Sequence, residues 1–129
     1  MNKRRKLTPA ERMRVYEKTN GHCAYCGCEI TFRQMQVDHV IPFAMQEYHP
    51  GEYTDLDKLS NMLPACRSCN HYKSTLTIDD FRSCVGKFPD TLARDSVTYK
   101  NGVRFGLVIP NPHPVKFYFE ELGIEVQHG

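Results

Sequence analysis

Two pairs of closely spaced cysteines constrain this chain more than any other feature of its sequence. They stand in Cys23-Ala-Tyr-Cys26 and in Cys66-Arg-Ser-Cys69. Two residues between ligands let one turn of backbone present both sulfurs to a single ion, and a tetrahedral zinc site takes four thiolates. The two pairs therefore predict one structural zinc ion held by all four sulfurs. A redox protein that uses one pair is a more distant alternative, because it leaves the second pair unexplained.

The composition agrees with a small domain that needs such a metal site. The chain has 129 residues, no Trp, eight Pro and eight Gly, which indicates one domain of short elements without a large core. Domains with thin cores often recruit disulfides or a structural metal. No stretch is apolar enough for a signal peptide or a membrane span, so we expect a reduced, cytoplasmic setting, no membrane partner, and cysteines that bind metal. The remaining Cys28 and Cys84 are expected to be buried or half-buried thiols.

The start of the chain is basic, although the net charge of the whole chain is only +2. Two acids, Glu11 and Glu17, stand among the basic residues of this segment. The basic residues are Lys3, Arg4, Arg5, Lys6, Arg12, Arg14 and Lys18. Such a cluster can neutralise phosphates and bind nucleic acid without sequence preference. A solvated surface explains the same charges equally well.

Capping signals indicate where several short helices begin. Thr8, Pro9 and Glu11 match an N-cap, a proline in the first turn and a capping-box acid. Thr77 and Asp80 repeat the first and last parts of this signal. The predicted helices cover residues 9–19, 67–74, 78–87 and 115–122, and residues 61–65 are expected to be extended.

Two hairpins and one exposed connection complete the predicted organisation. Residues 30–32 and 35–41 indicate a short β-hairpin that Pro42 ends. Residues 43–60 are polar and acidic, which predicts an exposed connection with about one helical turn. In residues 98–104 an Asn-Gly dipeptide lies between alternating residues, a pattern typical of a two-residue hairpin turn.

An aspartate and a histidine stand side by side between the cysteine pairs. Asp38 and His39 lie near the end of a predicted strand, shortly before Pro42. Neighbouring strand residues face opposite ways, so both can serve one site only where the strand ends or bulges. Asn70 follows the fourth cysteine, and the zinc ion would clamp its helix against the hairpin. Asp38 and Asn70 could then share a second metal with oxygen ligands, such as Mg²⁺. For Asp38 and His39 taken alone, a pair that faces solvent is an equal alternative.

Together these motifs resemble the HNH endonuclease family, the ββα-metal or His-Me finger nucleases, in its zinc-stapled form. The resemblance rests on Cys23, Cys26, Asp38, His39, Pro42, Asn61, Leu63, Cys66, Cys69, Asn70 and Lys73. It implies an α+β fold with a small ββα-metal core, an N-terminal helix and a C-terminal extension of a hairpin and a helix. We therefore expect a single domain: a basic arm and helix at residues 1–20, a nuclease core at 21–88 and the extension at 89–129.

The resemblance also implies roles for individual residues. His39 would be the general base, and Asn61 would orient the site by holding the imidazole or by bracing a loop. Asp38 and Asn70 would hold the catalytic divalent cation, Mg²⁺ or another. The adjacent His71 is not expected to share the direction of Asn70, because neighbouring helical residues diverge by about 100 degrees.

The reaction that the resemblance implies is hydrolysis of DNA phosphodiester bonds to 5′-phosphate and 3′-hydroxyl ends. Nucleic-acid contacts are expected from Lys73, Arg67, Arg4 and Arg5. Double-stranded DNA is the expected partner of a monomer or homodimer, and a small nuclease of this kind resembles a phage protein. The main alternative is a zinc-dependent module that binds nucleic acid without cutting it, which explains the cysteines and the basic arm but not the other motif residues.

Overall fold

A computed structural model describes residues 4–127 and shows short helices around a two-stranded antiparallel sheet. This is the α+β class that the sequence predicts. No helix within the described residues is long and apolar enough to cross a membrane. The elements in chain order are α1 (Pro9–Glu17), β1 (Gln36–His39), α2 (Met45–Tyr48), a 3₁₀ turn (Leu59–Asn61), β2 (Met62–Ala65), α3 (Arg67–Lys73), α4 (Ile78–Gly86), α5 (Phe88–Asp95), α6 (Val97–Arg104) and α7 (Tyr118–Glu121).

The helices with capping signals begin where the sequence predicts. The Thr8 hydroxyl accepts from the Glu11 amide at 3.1 Å, and the Glu11 carboxylate accepts from the Thr8 amide at 3.1 Å. The helix α1 ends at Glu17, two residues before its predicted end. At the start of α4, the Thr77 hydroxyl accepts from the Asp80 amide at 3.2 Å. Both starts depend on hydrogen bonds between residues three apart, which a local sequence pattern contains in full.

The sheet does not contain the hairpin predicted from residues 30–32 and 35–41. Strand β1 pairs instead with β2, so that His39 lies opposite Met62. The earlier segment forms a turn in which the Met35 amide donates to the Thr31 carbonyl at 3.0 Å. Every residue of β2 is buried. This four-residue strand covers β1 with more apolar surface than the predicted three-residue strand at 30–32 could supply. The prediction was wrong because the strand that pairs with β1 lies beyond a long connection in the sequence.

The sheet separates two small cores. The β2 residues alternate between them, because successive strand side chains point to opposite faces. Leu63 and Ala65 belong to the larger core, and Met62 belongs to the smaller one. The larger core also contains Cys23, Ala24, Tyr25, Val40, Ile78, Phe81, Phe117 and Phe119, and the smaller one contains Val15, Ile30 and Met35. Neither core is large, as the composition predicts.

The predicted hairpin in residues 98–104 is wrong, because this segment forms helix α6. The Ser96 hydroxyl caps the helix by accepting from the Tyr99 amide at 3.1 Å. Gly102 lies inside the helix, where a Cβ atom would stand 2.9 Å from the Val108 side chain. The glycine therefore permits close packing and does not form a turn.

The C-terminal part of the larger core packs against the first cysteine pair. The Phe119 amide donates to the Ala24 carbonyl at 2.8 Å, and the Tyr118 amide donates to the Tyr25 carbonyl at 3.1 Å. Of the helix predicted at residues 115–122, only Tyr118–Glu121 is helical. Residues 115–117 lie outside the helix, and the amides of Tyr118 and Phe119 at the helix start bond to the cysteine loop.

Candidate metal centre and active site

The four cysteines of the two pairs form one cluster. The sulfur atoms of Cys23, Cys26, Cys66 and Cys69 all lie within 4.8 Å of one another. The Cys26 and Cys66 sulfurs are 3.9 Å apart. Zinc–sulfur bonds of about 2.3 Å in a tetrahedron place sulfurs about 3.8 Å apart. The donor type, number and spacing therefore fit a tetrahedral zinc ion.

Hydrogen bonds within the cluster favour the thiolate form of one of its cysteines, Cys23. The Cys66 sulfur caps α3 by accepting from the Cys69 amide at 3.3 Å, and the Cys23 sulfur accepts from the Tyr25 amide at 3.4 Å. The hydrogen bond from the Cys69 thiol, against the opposing effect of burial, lowers the pKa of Cys23 to about 4.

The two other cysteines have different surroundings. Cys84 is half-buried in α4, as predicted. Cys28 is exposed, so its predicted burial is wrong, and its sulfur contacts those of Cys26 and Cys66. The Cys26-Gly27-Cys28 spacing is the signal that could have placed this fifth thiol beside the cluster.

The predicted metal ligands and base line one pocket, as the sequence leads us to expect. Asp38 and His39 reach it from the end of β1, and Asn70 reaches it from the first turn of α3. The pocket has a volume of about 260 Å³. Arg4 and His71 also line it, so the expectation that His71 points elsewhere is wrong. The pocket is wide enough for two adjacent residues of α3 to line it.

Two buried donors hold the Asp38 carboxylate. The Tyr25 hydroxyl donates to its Oδ2 atom, and the Lys73 ammonium lies 3.1 Å from the same oxygen. Burial raises the pKa of Asp38, and Lys73 and Tyr25 only partly offset this effect. No described residue donates a hydrogen bond to Oδ1, and no fully buried polar side-chain atom lacks a partner. The Oδ1 atom therefore retains solvent contact, as a metal ligand requires.

Lys73 does not present its charge to solvent. Its side chain is 0% exposed, and its ammonium donates to the His39 carbonyl at 3.0 Å as well as contacting Asp38. Burial lowers the pKa of Lys73, an effect that the Asp38 carboxylate opposes. A buried ammonium is not placed to contact a phosphate in this conformation, so the structure gives no support to the predicted phosphate contact of Lys73. The structure makes Lys73 a positioning residue that ties α3 to the end of β1.

The imidazole of His39 has a carboxylate partner that the sequence analysis missed. Its Nε2 atom lies 2.8 Å from Asp57 Oδ1, and Phe43 packs against the ring with 5.7 Å between centroids. The Arg5 backbone amide donates to Asp57 Oδ2 at 2.6 Å. Burial opposes ionisation of Asp57, but the Arg5 amide and His39 outweigh it and lower its pKa. Asp57 belongs to the polar connection, where no motif distinguishes it from neighbouring acids.

Asn61 braces a loop and does not hold the imidazole. It is 5% exposed. Its Oδ1 accepts from the Ile41 amide at 3.0 Å, and its Nδ2 donates to the carbonyls of Ile41 and Leu56 at 3.0 and 2.9 Å. These bonds fix the chain directly after β1 to the segment that carries Asp57. Of the two roles that the sequence leaves open, the structure shows the second.

Replacing Asn61 by alanine is expected to destabilise the fold by about 2–4 kcal/mol, because each buried group left without a hydrogen bond costs about 1–3 kcal/mol. The loss should appear in urea unfolding as a lower midpoint with an unchanged slope. The exposed neighbour Ser60 provides a control, since Ser60→Ala removes no bond of this set. Unchanged stability with a large loss of catalytic rate would instead indicate a direct role at the imidazole.

A comparison with known families agrees with the motifs of the sequence. Residues 23–76 match the family described as HNH endonuclease. This range contains both cysteine pairs and the three pocket residues that the sequence analysis selected. Over this range the chain is similar to the HNH endonuclease family, the family that its sequence motifs resemble.

The chain also resembles parts of two much larger proteins. It is 32% identical over 62 residues to the CRISPR-associated endonuclease Cas9 of Corynebacterium diphtheriae, a match that covers 48% of this chain and 5% of that protein. The crystal structure of the Type II-C Cas9 enzyme from Actinomyces naeslundii aligns with 87% of this chain and 12% of that chain, at 21% identity and a TM-score of 0.48. The chain therefore spans only a small part of each relative's length.

Proposed function

We propose that the protein is a divalent-metal-dependent endonuclease that hydrolyses DNA phosphodiester bonds to 5′-phosphate and 3′-hydroxyl ends. The observation that supports this proposal best is the shared pocket of Asp38, His39 and Asn70. A base, a carboxylate oxygen and an amide oxygen in one pocket suit water activation beside a bound cation.

His39 is the general base in this proposal. Its neutral imidazole accepts a proton from water, and the resulting nucleophile attacks phosphorus in line with the leaving 3′ oxygen. A positioned base of this kind contributes about 10²- to 10⁴-fold in rate. The ring is held for this task by Phe43 on one side and Asp57 at Nε2.

Asp38 and Asn70 are the residues that would hold the catalytic cation. Mg²⁺ suits such a site because it takes few protein ligands and keeps several waters. When bound, a divalent cation stabilises the charge that develops on the phosphate and leaving oxygens. Tyr25 and Lys73 fix one carboxylate oxygen of Asp38, which leaves the other oriented toward the pocket. The four clustered cysteines would hold a structural zinc ion, which would keep α3, and with it Asn70, beside β1.

The basic arm supplies the proposed contacts to double-stranded DNA. The Arg4 guanidinium lies over the Phe43 ring, 5.7 Å from its centroid, and lines the catalytic pocket. Arg5 is exposed beside it, and Arg67 is exposed in the first turn of α3. Contacts of this type neutralise phosphates without reading bases. A monomer with one such site would nick one strand, and a homodimer would be needed to cut both at once.

A plasmid-nicking assay tests the proposed function. Dialysed protein is expected to convert supercoiled plasmid to nicked circles only after addition of Mg²⁺, Mn²⁺ or Ni²⁺. DNA ligase should reseal the nicks directly, because it joins 5′-phosphate to 3′-hydroxyl ends. Asp38→Ala should abolish the response to metal, and Asp90→Asn, at an exposed position of α5, should not. Plasmid binding without cleavage at any metal would support the non-catalytic binding module instead.

A further inference from the structure

We propose that Asp57 is a positioning residue that holds the His39 ring in the one tautomer that can act as the base. This inference rests on the proposed function of His39. It assigns the Nε2 atom to the hydrogen bond with Asp57 and the Nδ1 atom to the reacting water.

The hydrogen bonds of Asp57 determine which ring nitrogen of His39 carries the proton. Its Oδ2 atom accepts from the Arg5 amide, which can only donate. Its Oδ1 atom lies 2.8 Å from Nε2 of His39. An ionised carboxylate only accepts, so Nε2 of a neutral imidazole must donate its hydrogen there. The lone pair of the ring then resides on Nδ1.

The Nδ1 atom has access to the pocket. Among the described residues none makes a hydrogen bond to it, and no polar side-chain atom that is fully buried lacks a partner. The nitrogen therefore keeps solvent contact although His39 is only 8% exposed. We place this contact in the pocket, because His39 lines it together with Asp38 and Asn70.

The connection that carries Asp57 is built to keep it in place. The preceding Leu56 is 4% exposed. Its amide donates to the Gln46 side chain, and its carbonyl accepts from Asn61 at 2.9 Å. The Arg5 amide closes the arrangement from the N-terminal arm. Two chain segments thus bond to the Asp57 carboxylate, and two more hold the backbone of the preceding Leu56. By contrast, Asp55, two residues earlier, has a side chain that is 78% exposed.

The substitution Asp57→Asn should reverse the tautomer. An asparagine has one acceptor oxygen, and the Arg5 amide requires it. The amide NH₂ group then faces Nε2 of His39 and can only donate, which forces the ring hydrogen onto Nδ1. The nitrogen that meets the water would lose its lone pair. We expect a fall in kcat of about 10- to 100-fold, the usual effect of losing a group that orients an active ligand or base, with unchanged DNA affinity.

The experiment combines ring spectroscopy with kinetics. Protein with ¹⁵N-labelled histidine is examined by long-range ¹H–¹⁵N correlation, and the His39 signals are identified as those missing from His39→Gln. The wild type should show the Nε2–H tautomer, and Asp57→Asn should show the Nδ1–H tautomer. Asp55→Asn is the matched control: it removes the same charge two residues away and should change neither the spectrum nor kcat.

The possible outcomes separate this proposal from the proposed function. An Nδ1–H tautomer in the wild type would overturn it even if Asp57→Asn proved too unstable to study. A kcat that is unchanged or higher in folded Asp57→Asn would also overturn it. The contact with Asp57 would then have no effect on His39 as the base, or would hinder it. The spectroscopy does not depend on cleavage, so a wild type with the expected tautomer but without nuclease activity would count against the proposed function alone.

Discussion

Replacement of His39 by alanine is expected to lower the rate of DNA cleavage by about 10²- to 10⁴-fold, the contribution of a positioned general base. DNA affinity should stay close to that of the wild type, because the basic arm and Arg67 are untouched. His39 pairs with Met62 through the backbone, so removal of the ring leaves this strand pairing in place. Single-turnover nicking and DNA binding, measured on the same preparations, would separate the two effects.

His71 provides the decisive comparison for this prediction. It is the other imidazole that lines the pocket among the described residues, and it is exposed. His71→Ala should retain most of the activity, because no carboxylate among residues 4–127 fixes its ring. His49, exposed and away from the pocket, serves as a neutral control. Full activity of His39→Ala together with an inactive His71→Ala would reverse the assignment of the base.

Loss of one cluster sulfur is expected to unfold the domain. Cys69→Ser removes one of four zinc ligands at the start of α3. Zinc binding is worth about 10–16 kcal/mol to the folding of small zinc domains, and the net stability of a domain is about 5–15 kcal/mol. The two small cores on either side of the sheet cannot replace a term of that size. The variant should therefore lack both zinc and a cooperative thermal transition in circular dichroism.

Cys84→Ser is the matched control, because Cys84 is half-buried like Cys69 but lies outside the cluster. It should keep the thermal transition and about one zinc ion per chain, the content that a single four-thiolate site predicts. A strong chelator should abolish the transition of the wild type as Cys69→Ser does. A metal-free wild type that still unfolded cooperatively at the same temperature would contradict the structural role of zinc.

Features that depend on neighbours in the sequence were predicted correctly. The Thr8 and Thr77 caps each involve a residue three positions ahead, so the pattern contains both partners. The clustering of Cys23 with Cys69 also follows from spacing, because two close pairs have few other ways to satisfy one metal. The shared pocket of Asp38 and Asn70 then follows, since each lies near a chain segment that the cluster holds.

Features that depend on distant partners were not predictable in this way. The β1–β2 pairing joins residues separated by a long polar connection, and a nearer segment offered an equally plausible hairpin. The Asn-Gly pair of α6 signals a turn in isolation, yet the Ser96 cap and the packing of Gly102 against Val108 favour a helix. Local propensity differs by at most about 1 kcal/mol per residue, so packing readily overrides it.

The candidate site shows the same difference between features set by nearby residues and features set by distant ones. Sequence alone selected the residues to which we assign its chemistry: the four clustered cysteines, Asp38, His39 and Asn70. Their supporting groups emerged only from the folded chain, which buries Lys73 against Asp38, turns Asn61 toward a loop and brings Asp57 to the imidazole. Chemistry requires particular residue types at short, recognisable spacings. Support requires only a hydrogen-bonding group at the right place in space, which many positions along a chain can supply.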